Sequence, residues 1–246
     1  MHYRKDFMMS ATIFAFVKIF EEKEYAESFL RGELYMNTIR SFKEYTDKSG
    51  ELRGDSYEGI IAIHQPNKLS GIKINDVEIS PSALASPILI HGDYLLNQNV
   101  FCIYSLNSRG YDQVSAETLK DFKETLQLHE LCFGLGCYCV VILNASDFIS
   151  RCEKAIRKLN LQAKLALVDY FDEEEFHGFM PKEKLGFQKR NMFAHQREYR
   201  IKIDTNQSDP RPFTLEVGDL SDISILMKPQ EFNDSLNISL PNGSMI

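Results

Sequence analysis

The chain has 246 residues, 43% of them hydrophobic and 26% charged, the proportions of a globular protein long enough to bury a sizeable core. A formal net charge of −7 gives no overall attraction for nucleic acid, so such a partner would need a local basic patch. No apolar run approaches the roughly 20 residues that span a bilayer, which argues against a membrane partner. Five cysteines, an odd number with no export signal, read as reduced thiols of a cytoplasmic protein.

Residues 1–10 read as a flexible arm. Basic residues before an apolar stretch resemble a signal peptide, but the apolar part carries Lys18 and runs into Glu21-Glu22-Lys23-Glu24 without a small-residue cleavage site. The β-branched and aromatic run over 12–20 predicts a buried strand. A short helix follows over 22–32, with Tyr25, Phe29 and Leu30 on one face and Gly32 as its C-terminal cap. A strand over 32–38 leads into a polar, aromatic stretch over 40–59, too long for a mere connection.

Strands are expected at 58–65, 71–79 and 99–106. Ser115 and Ser146 are positioned to cap helices reaching about Leu128 and Leu159. Buried strands are predicted at 137–143 and 164–171. After residue 196 the pattern is strand, a Ser-Asp-Pro-Arg-Pro turn, strand, and a polar tail over 233–246. Strands dominate without a βαβ rhythm. The fold class is therefore α+β: a mixed or antiparallel sheet with peripheral helices, in a single domain over 11–232.

Several chemistries lack their signatures. No phosphate-binding G-x-x-x-x-G-K-[ST] is present, and Gly134-Leu135-Gly136 precedes a strand where a dinucleotide fingerprint must follow one. His129, Cys132, Cys137 and Cys139 lie close in sequence but lack the paired knuckles of a structural zinc site, so no metal is expected. There is no G-x-S-x-G nucleophile turn. The acidic run 172–176 reads as a solvated face.

The stretch 189–204 holds the pattern with chemical content. If Gln196-Arg197-Glu198 opens a strand, Gln196 and Glu198 point the same way, toward one cleft. This Q/E-x-E pattern resembles that of mono-ADP-ribosyltransferases. The resemblance implies NAD as a substrate, with Glu198 stabilising the cationic transition state and Gln196 orienting the acceptor. It further implies acceptor recognition by Phe193 in the preceding loop, Lys18 and Arg40 on the pyrophosphate, and Ser105 on the central strand. The chain is also similar to uncharacterised bacterial and phage-defence proteins that pair a G-x-L-x-(M/F)-(N/S) strand, here 32–37, with a late E-(Y/W)-R strand, here 198–200. A toxin or defence effector acting on a protein or RNA, with an antitoxin partner, is what these likenesses imply.

Alternation on that strand places Tyr199 and Ile201 toward the core, and Glu198 and Arg200 on a cleft-lining face opposite 12–20 and 32–40. Arg200 would keep Glu198 ionised. A second reading is a non-enzymatic interaction module binding a protein or RNA through Phe42, Tyr45, Arg53 and Tyr57. A third is a nucleic-acid contact, with Lys189, Arg190, Arg197 and Arg200 as the basic patch and Phe187 and Phe193 stacking on bases.

Overall fold

The computed structural model describes residues 11–46, 53–207 and 209–240. The proposed arm over 1–10, part of the 40–59 stretch and the end of the tail lie outside them. The chain begins with β1 (Ile13–Phe20), α1 (Lys23–Leu30), β2 (Glu33–Thr38) and α2 (Ile39–Glu44). Then come β3 (Ile60–His64), β4 (Ile72–Ile74), β5 (Val77–Ile79), β6 (Ile88–His91) and α3 (Asp93–Leu96). The middle is β7 (Asn99–Asn107), α4 (Leu119–Leu126), β8 (Tyr138–Ile142) and α5 (Ala145–Lys158). Next are β9 (Gln162–Leu167), β10 (Asp169–Phe171), β11 (Gly178–Phe179), β12 (Gln188–Arg190) and β13 (Glu198–Asp204). The chain closes with β14 (Phe213–Glu216), β15 (Ser224–Met227) and α6 (Pro229–Ser235).

Pairing is predominantly antiparallel, with β10 and β12 running parallel. The fold is α+β. No helix among the described residues is long and apolar enough to cross a membrane.

Local differences from the sequence expectations have local causes. The strand expected over 71–79 is the hairpin β4–β5, because Asn75 and Asp76 both adopt left-handed φ, of 45° and 66°. That is the geometry of a two-residue turn between twisted strands. The cap of α5 falls on Asn144, whose Oδ1 accepts the Asp147 N–H at 3.0 Å, and not on Ser146. Thr118, not Ser115, sits at the N-cap of α4. The region expected as tail from residue 233 begins inside α6.

The residues group into two compact units. One takes the described residues up to Gly32, those of 104–151 and those from Gly218 on; the other takes 33–103 and 152–217. The single domain read over 11–232 carries no sequence mark of this grouping, since each unit is assembled from distant segments and no linker composition separates them.

In the first unit, β1 pairs with the end of β7 and with β8, and β15 extends the sheet beyond β8. Successive residues of β1 serve opposite faces. Phe16 packs on Phe148 at 5.6 Å between ring centroids, and Phe148 also meets Phe29. Val17 joins Tyr104, Leu106, Phe122, Leu126, Cys139 and Phe232 on the other side. Helices cover both faces, which is why the run over 13–20 is apolar except for Lys18 rather than alternating.

In the second unit, β14 pairs with β2 and β2 with β7, while β13 pairs with β7 and β9. A separate three-stranded sheet has the order β11-β3-β6. Its core side carries Ile60, Ile63 and Met180.

Candidate functional site

β13 is not an edge strand. With a neighbour on either side, its backbone groups are taken up, and burial extends to both of its faces. Tyr199 and Ile201 are buried, as expected, but so are Glu198 at 4% exposure and Arg200 at 0%. The expected cleft-lining face is thus corrected: the second face of β13 is an ionic interior. Strand alternation tells two faces apart, but it does not reveal that a charged face is covered.

Arg200 is the centre of that interior. Its guanidinium donates to both Glu58 oxygens, at 2.8 and 2.9 Å, to Glu198 Oε1 at 2.6 Å and to the Gly186 carbonyl at 2.8 Å. Such forked pairing suits the planar guanidinium, which presents its donors in a fixed geometry. Lys189 Nζ lies 3.2 Å from Glu198 Oε2, 3.8 Å from Glu58 and 2.7 Å from Gln196 Oε1. Beside it, Arg190 pairs with Asp55 at 2.8 Å and stacks its guanidinium over Tyr57 and Phe193. Lys189 lies over the same Phe193 ring at 5.0 Å.

Two short segments meet β13 here. The turn at Gly54-Asp55-Ser56-Tyr57-Glu58 is closed by the Tyr57 N–H donating to Asp55 Oδ1, and it points both acids inward. β12 supplies Lys189 and Arg190, one cation to each flank. The Tyr170 hydroxyl accepts the Glu198 N–H at 2.9 Å and fixes the start of β13. Asp55, Glu58 and Glu198 therefore face Lys189, Arg190 and Arg200, and Arg190 also lies 3.7 Å from Glu173 at the margin of the cluster.

The electrostatics follow from two opposed effects. Burial raises a carboxyl and lowers an amine, but here the neighbouring charges win. Against burial, Arg200 and Lys189 hold the Glu198 carboxyl well below the usual carboxylate range. Against burial again, Glu198 and Glu58 hold Lys189 and Arg200 above their ordinary values. The expectation that Arg200 keeps Glu198 ionised agrees with this geometry.

The sequence-predicted site residues fall in several places. Gln196 and Glu198 do meet, although not through strand alternation. Gln196 ends a short helical turn, and Arg197 then adopts left-handed φ and ψ of 44° and 46° before β13 begins. Lys189 bridges the two side chains. Phe193 is 0% exposed and forms the floor beneath Lys189 and Arg190, so it does not read an acceptor at the surface. Arg40 lies on α2 and pairs with Asp93 at 2.6 Å and Asn97 at 3.2 Å. Lys18 and Ser105 belong to the first unit, and Ser105 Oγ accepts a bond from Asn107 Nδ2.

The nucleic-acid patch is corrected as well. Lys189, Arg200, Phe187 and Phe193 are all buried, while Arg190 and Arg197 are partly exposed, so most of the expected patch is interior. The Cys139 thiol is pushed up to about 12 by burial, then by the Glu231 charge, which keeps it protonated. Sequence reasoning missed Asp55, Glu58 and Tyr170. Two acids three apart in an aromatic, glycine-flanked turn were the available signal for the first two.

Comparison with known protein families, with curated proteins and with solved structures finds no match to this chain.

Proposed function

We propose that the chain is a non-enzymatic interaction protein whose second unit receives an extended segment of a protein partner along β6. The observation that carries this reading is the bare edge of the sheet β11-β3-β6. Among the described residues no strand pairs with the outer side of β6, and the strand, Ile-Leu-Ile-His, contains no charge. Pro87 lies just before β6 and the β3–β6 ladder shifts register between Ile60 and Ala62, so the stretch open to strand addition is 88–90, which carries neither lysine nor proline.

The outward face supplies side-chain specificity. Ile90, Ala62 and Phe179 stand in one cross-strand row, with Ile88 opposite His64 in the next. Ile88 and Ile90 are each 37% exposed and Phe179 is 70% exposed. Exposed apolar groups clustered on one face mark an interaction surface more than scattered ones do. A protein suits this surface better than RNA, because it is apolar and the net charge is −7.

The test is to select binding peptides from a random library and measure their affinity for the intact chain. Ile88→Lys with Ile90→Lys is expected to weaken selected peptides at least about tenfold, roughly 1.4 kcal/mol, with slowed amide exchange confined to β6 in the wild type. Peptides that bind the double-lysine protein equally well would remove the proposal, and so would a selection that returns none.

A second reading is the NAD-dependent ADP-ribosyltransferase-like toxin or defence effector. It is favoured by one observation, the ionised Glu198 joined to Gln196 through Lys189. Both Glu198 oxygens already hold cations, so on this reading a ribose hydroxyl would have to displace one of them. NAD titration separates the two readings. An interaction module shows no change in melting temperature, whereas a nucleotide site gains about 2.7 kcal/mol at a hundredfold excess over Kd.

A further inference from the structure

We propose that Lys164 and Lys202 form a binding site for a phosphate oxyanion, as free phosphate or as the phosphoryl group of a small molecule. The two residues are direct partners in the antiparallel β9–β13 pair, so their side chains leave the same face side by side. Both ammonium groups reach the Phe187 ring, Lys164 at 4.8 Å from its centroid and Lys202 at 5.6 Å. Like charges placed opposite each other across two strands are destabilising, and neither lysine forms an ion pair with a carboxylate among the described residues.

The surroundings hold the pair in place. Lys164 Nζ donates to the Glu183 carbonyl. The stem of Lys202 lies against Gly186, where an added Cβ would come 2.8 Å from its Cδ. Glycine at 186 therefore clears the space that Lys202 occupies. The charges bearing on Lys202 are Lys164 from β9 and Arg200 and Asp204 from its own strand. Burial, then Lys164 and Arg200, push its amine down to about 8, and Asp204 offsets them only in part. Asp204 also accepts from Gln98 Nε2 at 3.5 Å. An oxyanion seated between the two ammonium groups turns their repulsion into two charge-assisted hydrogen bonds, and the exposed Lys164 leaves it a way in.

The proposal is tested by melting the full chain at pH 7 in inorganic phosphate and in glycerol 3-phosphate, against chloride of equal ionic strength. Both phosphates are expected to raise the melting temperature saturably in the wild type, with the effect absent in Lys202→Met and in Lys164→Met. Tighter binding of the ester identifies a small-molecule source, and equal binding identifies free phosphate. The effect should fade as pH rises from 7 to 9 and Lys202 loses its proton. In chloride at pH 7, Lys202→Met should melt at or above the wild type, because methionine keeps the stem and removes the repelled charge. That control shows that a lost phosphate response is not lost folding. No shift beyond chloride, or the same shift in both methionine variants, overturns the proposal.

Discussion

Arg200→Met is expected to destabilise the protein by about 3–5 kcal/mol, measured by urea unfolding, the cost typical of removing one partner from a buried ion pair. The substitution keeps most of the side-chain volume but leaves Glu58 and Glu198 buried without their principal cation. Lys189 remains near both acids, 3.8 Å from Glu58 and 3.2 Å from Glu198, and one ammonium cannot replace a forked guanidinium. Adding Glu58→Gln to the methionine variant should recover part of the loss, because the pair acts as a unit. A loss below about 1 kcal/mol would mean that the network is solvated and contributes little.

Acid makes the same point independently. The folded Glu198 carboxyl titrates below its unfolded value, so the stability it contributes is full above the ordinary carboxylate range, near 4.3, and is lost as pH falls toward the folded value. The wild type should weaken as pH falls below about 4.5, and Arg200→Met should show a shallower acid slope. Equal slopes in the two proteins would show that Arg200 does not hold Glu198 ionised.

The second large effect is expected in the first unit, where Gly32→Ala should cost about 3 kcal/mol through backbone strain and overpacking together. Gly32 follows the end of α1 with φ of +89°, and its N–H donates to the Phe29 carbonyl at 2.9 Å. An added Cβ would lie 2.0 Å from the Gly218 carbonyl oxygen, a backbone atom that cannot swing aside as a side chain can. Gly110→Ala is the comparison: φ is +84° there, but nothing lies within 4 Å, so only the strain remains. Similar losses at the two positions would show that the close approach to Gly218 carries no cost.

How much of this was legible in the sequence depends on the range of the interaction. β1, α1, β2, β7 and β8 fall close to where the apolar runs place them, and Gly32 ends α1 as its position suggests, because these signals are read within a few neighbouring residues. The hairpin turn at Asn75-Asp76 belongs to the same class. Ile72, Ile74, Val77 and Ile79 have the composition of one continuous strand, and only the Asn75-Asp76 turn chemistry divides them. Glu198 and Arg200 could be picked out as a pair on one face of β13, since side chains two apart on a strand share a side.

What surrounds that pair could not be read in the same way. Glu58 is 142 residues from Arg200, and nothing local to either marks them as partners. The charges on β13 looked like those of a solvent-facing strand because a covered ionic face and an exposed one have the same composition. Only the folding of β12 and the Asp55–Glu58 turn against the strand supplies the opposite charges that let Glu198 and Arg200 be buried. The sequence by itself determined the α+β class and which residues share a strand face. The tertiary structure decided that this face is interior, because the desolvation cost of a charge is met only by partners that chain folding brings within hydrogen-bond reach.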